Sequence, residues 1–421
     1  MKIQKLIYRL EKRHKKKIDL TLDRTFNLLK KLGNPQDKLD NVITVVGTNA
    51  KASICQSLKS ILNQAGYKCN LTLSPHLQTY KERFIYNNKE ISEDELYELL
   101  SDIEKILGDD SATIFEILIC AFLKHAEQFK ENINIIEAGL FHQYDATNVF
   151  KKNLASIIGY INYDHISWLK DKTINGIIHE KTNKLLESNI FINMQENQDI
   201  LKKIEKALIN NQSQKYYFGK NFNILKSENG FIYYQDEFGE LLLPEPNILG
   251  DHQLSNISTA VAASRKLFNV EDKNIKEGIT KIELKGRLQE IKFGKLKSLI
   301  GPNRLVIDGG HNIGASKVIA NWLKKQNEEV HMIIGMMKDK DHNGFINSFD
   351  GLAKSITLID IPNQDACISK KDLKNKLNGI NTKIILGENI YDSIKSIRKF
   401  ENSLCLVVGS LYLAGEVLNL N

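Results

Sequence analysis

The sequence predicts an α/β protein of two domains, with a parallel-rich sheet in a larger N-terminal part and a second α/β layer structure in a smaller C-terminal part. Three observations predict it: short apolar runs alternate with amphipathic stretches, the chain is 421 residues long, and a fresh series of apolar runs begins near residue 304. Alternating strands and helices build parallel sheets covered on both faces, so their strands read as continuous Val, Ile and Leu runs. A chain of this length exceeds one ordinary core.

In chain order, buried strands are expected at "NVITVVG" (41–47), "INIIEAG" (133–139), "LASIIGYINYD" (154–164), "ESNIFIN" (187–193), "RLVIDGG" (304–310), "HMIIGMM" (331–337), "SITLIDI" (355–361), "TKIILG" (382–387) and "LCLVVGS" (404–410). "SICQSLKSILNQAG" (53–66) supplies the helix after the first strand, and "GDHQLSNISTAVAASRKLF" (250–268) is a helix with small residues on one face. The break falls in "KIELKGRLQEIKFG" (281–294), giving domains 1–284 and 285–421. Ligands of such sheets gather at the carboxyl ends of strands, so functional residues are sought directly after these runs.

Composition narrows the class. The hydrophobic share of 42% is that of a globular protein, and the first twenty residues are rich in Lys and Arg, unlike a secretory leader. No apolar stretch reaches the roughly 20 residues of a membrane span. The five cysteines are scattered without a CxxC pair, which reads as reduced thiols in a cytoplasmic protein. Net charge is +7, and its densest cluster, Lys12 to Lys17, is expected on a helical surface. No aromatic residues interleave with the basic ones as base stacking requires, so anionic small substrates explain the charge better than nucleic acid.

"VVGTNAKAS" (45–53) has the outline of a phosphate-binding loop. Against the general pattern, Val45, Ala50 and Ala52 stand where two Gly and a Ser or Thr belong around Lys51. With the first Gly four residues before the Lys, however, the segment resembles the GTNGKGS loop of the Mur ligase superfamily, in its folate branch of folylpolyglutamate synthases and bifunctional dihydrofolate synthases. Further motifs follow in order. "SPHLQTYKERF" (74–84) resembles the SPHL segment and its ER pair, "IFE" (114–116) the YFE helix start, and "EAGLFHQYDATNV" (137–149) is similar to EVGLGGRLDATN. "NYDHISWLKDKTINGIIHEKTNK" (162–184) resembles GLDHxxWLGxTxxxIAxEKAGI, and "GDHQLSN", "KGRLQ", "DGGHNIGA", "GMMKDKD" and "GSLYLAGEV" complete the set. The likeness covers roughly residues 20 to 417.

The resemblance implies a P-loop-type ATPase domain followed by a Rossmann-like domain, closing on ATP across a cleft. It implies ATP-dependent amide formation with Mg²⁺: a substrate carboxylate takes the γ-phosphoryl group, and the amine of glutamate displaces phosphate. Gly47, Thr48, Asn49, Ala50, Lys51, Ala52 and Ser53 would hold ATP, with Lys51 on the outer phosphates and the amides of 49–53 cradling phosphate oxygens at a helix N-terminus. Asn256, Arg287 and Asp308 would contact ATP from the far side, with His311 acting near phosphate. Ser74, Glu137 and His165 would bind the metal, the last two from adjacent strand ends. Lys181 matches a lysine that the family carbamylates, and with Lys51 and His311 it makes up the implied catalytic set. The pterin would meet Leu22, Asp23, Arg24 and Thr25, then Thr113, Ile114, Phe115 and Glu116, then Tyr144, Asp145 and Ala146. Phe115 would offer a ring face and Asp145 an acceptor, although Asp before Thr at a loop end is equally a helix cap.

The chain departs from the motifs at several places: "TN" (182–183) stands for AG after Lys181, the usual Pro after Asn312 is missing, and two departures weigh more. Ala50 replaces a Gly, and an Ala held left-handed costs roughly 1 kcal/mol. Phe141, His142 and Gln143 replace Gly, Gly and Arg, which narrows the pocket, changes the substrate or ends the chemistry. Two further readings remain: a nucleotide- or folate-binding relative without turnover, and a Mur-type ligase with a different acceptor. The resemblance favours a monomer acting on small molecules, with neither nucleic acid nor membrane as partner.

Overall fold

The computed structural model describes residues 2–16, 19–227 and 229–421. They divide into two compact units: one runs up to Asn247 and adds Leu254–Glu283, the other joins Ile248–Gln253 to Leu284–Asn421. The sequence reading places one break near residue 285. The short excursion at Ile248–Gln253 carries no compositional signal and is set by packing alone.

The first unit holds strands β1 (Val42–Val46), β2 (Cys69–Thr72), β3 (Ile85–Tyr86), β4 (Lys89–Glu90), β5 (Ile133–Glu137), β6 (Ala155–Ile158), β7 (Asn189–Ile192) and β8 (Gln214–Tyr217). Their order is β4-β3-β2-β5-β1-β6-β7-β8, parallel except for β3 and β4 at one edge. β1 and β5 are buried along their whole length, as strands covered on both faces must be. The chain leaves β5 on one side of β1 and returns as β6 on the other, which makes the carboxyl end of β1 a topological switch point.

Helix Lys51–Gln64 follows β1 and packs on helix Asp272–Ile279, where a Cβ on Gly278 would come within 2.6 Å of the Ile61 Cα. Ser60 Oγ donates to the Gly278 carbonyl at 2.7 Å, fixing that approach. A second core gathers helices Lys2–Glu11, Asp23–Lys31, Glu93–Leu107 and Ile114–Ala126 around Leu6, Leu29, Leu100 and Phe122. Residues 12–16 follow the first helix as a turn and bend, so the basic cluster does not ride on a helix as expected, and Lys17 lies outside the described residues.

Strands β9 (Phe222–Lys226), β10 (Ile232–Asp236) and β11 (Gly239–Leu243) form an antiparallel sheet that the sequence reading misses, along with β2, β3, β4 and β8. The second unit carries β12 (Gln289–Glu290), β13 (Arg304–Ile307), β14 (Glu329–Ile334), β15 (Ser355–Leu358), β16 (Lys383–Leu386) and β17 (Ser403–Val408) in the order β12-β13-β17-β14-β15-β16. All pairs there are parallel except β12 with β13. Among the described residues no helix is long and apolar enough to cross a membrane.

Candidate active site

β1 runs straight into the loop at 47–50. Thr48 and Asn49 both donate their amides to the Tyr160 carbonyl, at 2.9 and 3.0 Å, and Thr48 Oγ1 donates to the Asn162 carbonyl at 2.9 Å. The loop after β6 is thus bonded across the end of β1. Gly159 permits the crossing, since a Cβ there would sit 2.7 Å from the Asn49 carbonyl oxygen. Because the Asn49 amide is committed to Tyr160, the expected cradle of 49–53 narrows to its helical part. The first intrahelical bond is Ile54 N to Ala50 O, so the amides of Lys51, Ala52 and Ser53 open the helix without a partner inside it. Ala50 is left-handed as expected, with φ 75° and ψ −19°. Ala50→Gly is therefore expected to raise unfolding free energy by roughly 1 kcal/mol, measured by urea denaturation, and an unchanged or lower midpoint would contradict this.

Lys51 Nζ folds back to donate to the Gly47 and Thr48 carbonyls at 3.0 and 3.3 Å. Lys181, buried near the end of helix Ile174–Thr182, donates to the same Gly47 carbonyl at 2.9 Å and to the Leu140 carbonyl at 2.8 Å. Burial first, then the charge of Lys51, pushes the Lys181 amine down to about 7, against the pull of Asp164 and Asp145.

Glu137 ends β5 in register with Val45, and its Oε2 accepts the Ser74 amide at 2.8 Å. Ser74 Oγ is buried without a hydrogen-bond partner, an oxygen suited to a hard cation beside a carboxylate. His165 is left-handed at φ 55°, with Nε2 3.8 Å from Asp164 Oδ2. β5 and β6 are not adjacent as expected, because β1 lies between them. Ser74 and Glu137 are in contact, and His165 lies on the loop after β6, the strand on the other side of β1. Among the described residues no group of three or more His, Cys, Asp and Glu gathers as a metal cage, and the Ser, Glu and His here provide only two such side chains. Mg²⁺ keeps several waters and needs few protein ligands, so this set still suits it. Glu82 accepts the amides of Leu77, Gln78 and Thr79 at 2.7, 2.9 and 3.0 Å and so holds the segment after Ser74, which assigns a task to the ER pair.

The three segments expected at the pterin come together. Arg24 grips Glu116 with two bonds of 3.1 and 2.8 Å, and Asp19 supports it from the other side at 2.9 Å. Glu116 Oε2 also accepts the Thr113 amide at 2.7 Å, closing a capping box at the start of helix Ile114–Ala126. Phe115 lies against Gly139, where a Cβ would meet its ring at 2.6 Å and Asp145 Oδ2 at 3.1 Å. Asp145 is neither a helix cap nor an open acceptor: it takes the Leu140 amide and both the amide and hydroxyl of Thr147. Ala146 and Thr25 are buried, Leu22 caps helix Asp23–Lys31, Asp23 bonds Thr21, and Tyr144 is exposed. Phe141 does not narrow a pocket; it turns into the core with Val46, Ile158 and Ile177.

Asn256 belongs to this first unit, where Asn193 Nδ2 donates to its Oδ1 at 2.8 Å, and not to the unit of Arg287 and Asp308. In the second unit, buried Asp308 follows β13 and accepts the amides of Leu288 and Gly310 at 2.8 and 2.6 Å. Burial raises its carboxyl, opposed first by Arg287. Its oxygens brace the loops holding Arg287 and His311, so organising donors suits it better than binding ribose. His311 Nδ1 lies 2.9 Å from the Gly309 carbonyl, and a Cβ on Gly309 would stand 2.7 Å from an Arg287 nitrogen. Sequence reasoning misses Asp19, Asn193 and Gly159 and gives Glu82, quoted only as part of the ER pair, no task; Asp19 is an acid five residues before a motif arginine, which is signal enough.

A family model described as "Dihydrofolate synthetase, C-terminal domain" matches residues 295–420. The dihydrofolate synthase/folylpolyglutamate synthase of Haemophilus influenzae is 31% identical over 353 residues, covering 80% of this chain and 77% of that protein. Among solved structures, Escherichia coli FolC in complex with DHPP and ADP superposes with a TM-score of 0.87 at 25% identity, covering 99% of this chain and 97% of that one. A bifunctional folylpolyglutamate synthase/dihydrofolate synthase with Mn, AMPPNP and L-glutamate bound gives 0.84 at 25% identity, with coverage of 99% and 97%.

Proposed function

This chain belongs to the dihydrofolate synthase/folylpolyglutamate synthase family of Mur ligases, and from that membership we propose that it joins L-glutamate to dihydropteroate, with reduced folates as companion acceptors. It is an ATP-dependent, amide-forming ligase that uses a divalent metal. The observation that carries the reading is the pair of lysine side chains, Lys51 and Lys181, held on the Gly47 carbonyl after β1, the strand in register with the Glu137 end of β5. Burying an amine beside a second lysine costs stability, and such costs cluster at functional sites.

In this reading the acceptor carboxylate attacks the γ-phosphorus, ADP leaves, and the glutamate amine then attacks the acyl carbon and expels phosphate. Lys51 swings from its own loop carbonyls to the outer phosphates, and the amides of Lys51, Ala52 and Ser53 receive phosphate oxygens. When bound, Mg²⁺ neutralises phosphate charge, and Ser74, Glu137 and His165 are its proposed ligands. Lys181, neutral for part of the time near pH 7, meets the requirement for carbamylation, and the carbamate keeps one N–H for one of its two carbonyl partners. Asn256, Arg287, Asp308 and His311 are proposed to serve ATP, and the Arg24–Glu116 clamp with Phe115 to shape the pterin pocket. A cytoplasmic location fits the free cysteines, four of them buried, and the monomer is proposed from the family resemblance alone.

The test supplies Mg-ATP and glutamate with dihydropteroate in one reaction and tetrahydrofolate in another, read by mass spectrometry. A one-glutamate gain on dihydropteroate is expected. Gain on tetrahydrofolate alone makes it a polyglutamation enzyme, and no gain from folded protein overturns the reading.

A further inference from the structure

We propose that Gln143 and Asn183 form a positioning pair that holds Lys181 between the nucleotide loop and the loop after β5. Asn183 Nδ2 donates to Gln143 Oε1 at 2.9 Å, joining segments 40 residues apart in sequence. Both residues are departures: the motifs carry Arg and Gly at these places, so two changes far apart in the chain meet in one hydrogen bond.

The pair is the outermost rung of a ladder that brackets Lys181. The amides of His142 and Gln143 both donate to the Glu180 carbonyl at 3.1 Å, capturing a C-terminal carbonyl that the helix leaves open. Lys181 Nζ reaches the Leu140 carbonyl at 2.8 Å, and Asn183 closes the other end on Gln143. Phe141, between these rungs, buries its ring in the core with the Lys181 nitrogen 5.3 Å from its centre. The amine therefore takes its position from the loop 140–143 on one side and from Gly47 on the other. A loop loosened at Gln143 lets the amine drift, and displacement of about 1 Å near a reacting centre costs on the order of 100-fold in rate. The charged and titratable groups facing the amine are Lys51 from the helix after β1, His142 and Asp145 from the loop after β5, and Asp164 from the loop after β6.

The proposal rests on the ligase reading, and two readouts separate their failures. Gln143→Met keeps side-chain length and removes the acceptor. Its kcat for ligation is expected to fall about tenfold while KM for ATP changes less than about twofold, a split that displacement of a reacting group produces and lost ATP binding does not. Trace acetylation of Lys181 across pH, read by peptide mass spectrometry, is expected to give a higher midpoint as water reaches the amine. The reciprocal exchange Gln143→Asn with Asn183→Gln keeps the combined length and is expected to restore both values. An unchanged kcat and midpoint in Gln143→Met, or an exchange no better than its single variants, overturns the pair. If the wild type does not ligate, the ligase reading falls and the acetylation midpoints still decide the pair.

Discussion

Lys51→Ala is expected to lower the rate of glutamate ligation about a thousandfold, or about 4 kcal/mol in transition-state free energy. Lys51 stands at the first position of the helix that follows β1, the switch-point strand of the sheet. Its two bonds go to carbonyls of its own loop, which water can replace, so the fold loses little with it. The phosphates of ATP have no such substitute, because charge developing in transfer is stabilised by a cation already in place. Thermal unfolding within a few degrees of wild type, together with collapse of ligation, is the expected pattern. Ligation within tenfold of wild type would remove Lys51 from the site.

Lys181→Met is expected to cost about a hundredfold in ligation and to change how stability depends on pH. The unfolded chain holds this proton up to about pH 10.4, whereas the folded protein gives it up near 7. Between those limits the unfolded state binds more protons, so raising pH stabilises the native state relative to the unfolded one. Below pH 7 both states are protonated and the cost of the buried charge is fully present. Wild type should therefore gain on Lys181→Met from pH 7 to 10, by an amount on the order of a few kcal/mol. Urea titrations of both proteins at pH 6, 8 and 10 read this directly. A difference independent of pH would mean that Lys181 is protonated throughout, and would argue against carbamylation.

Much of this molecule is legible without coordinates, for reasons that differ by element. β1, β5, β6 and β7 are buried nearly throughout and announce themselves as short runs dominated by Val and Ile, with Thr44, Asn134 and Ser156 as buried polar exceptions. β2 is equally buried but reads "CNLT": its Asn70 is satisfied by Asn134 and Asn132 of the neighbouring strand region, a pairing visible only after folding. The hairpins β9–β11 alternate buried and exposed residues, as in Ile232, Tyr233 and Tyr234, and carry Asn or Gly turn signals that a search for parallel strands passes over. At the site, motif order points to Lys51, Glu137 and Lys181, which the structure puts at a helix start, a strand end and near a helix end. It does not reveal which acids are already spent. Asp145 and Glu116 bind backbone amides of their own loops, Asp308 binds the Gly310 amide of its own loop and the Leu288 amide of another, and their motif positions record the shape of a pocket as much as a contact with ligand. Phe141 looks from sequence like an obstruction, yet the space between β6 and helix Ile174–Thr182 accepts it as core.

The central claim is that this chain transfers phosphoryl from ATP to an acceptor carboxylate and then forms an amide with glutamate. Dihydropteroate carrying heavy oxygen in its carboxylate, incubated with Mg-ATP, glutamate and the enzyme, tests it in one reaction. The account predicts a product one glutamate heavier and inorganic phosphate that has gained one labelled oxygen for each amide formed. Amide formation with unlabelled phosphate, or phosphate release without amide, would contradict it.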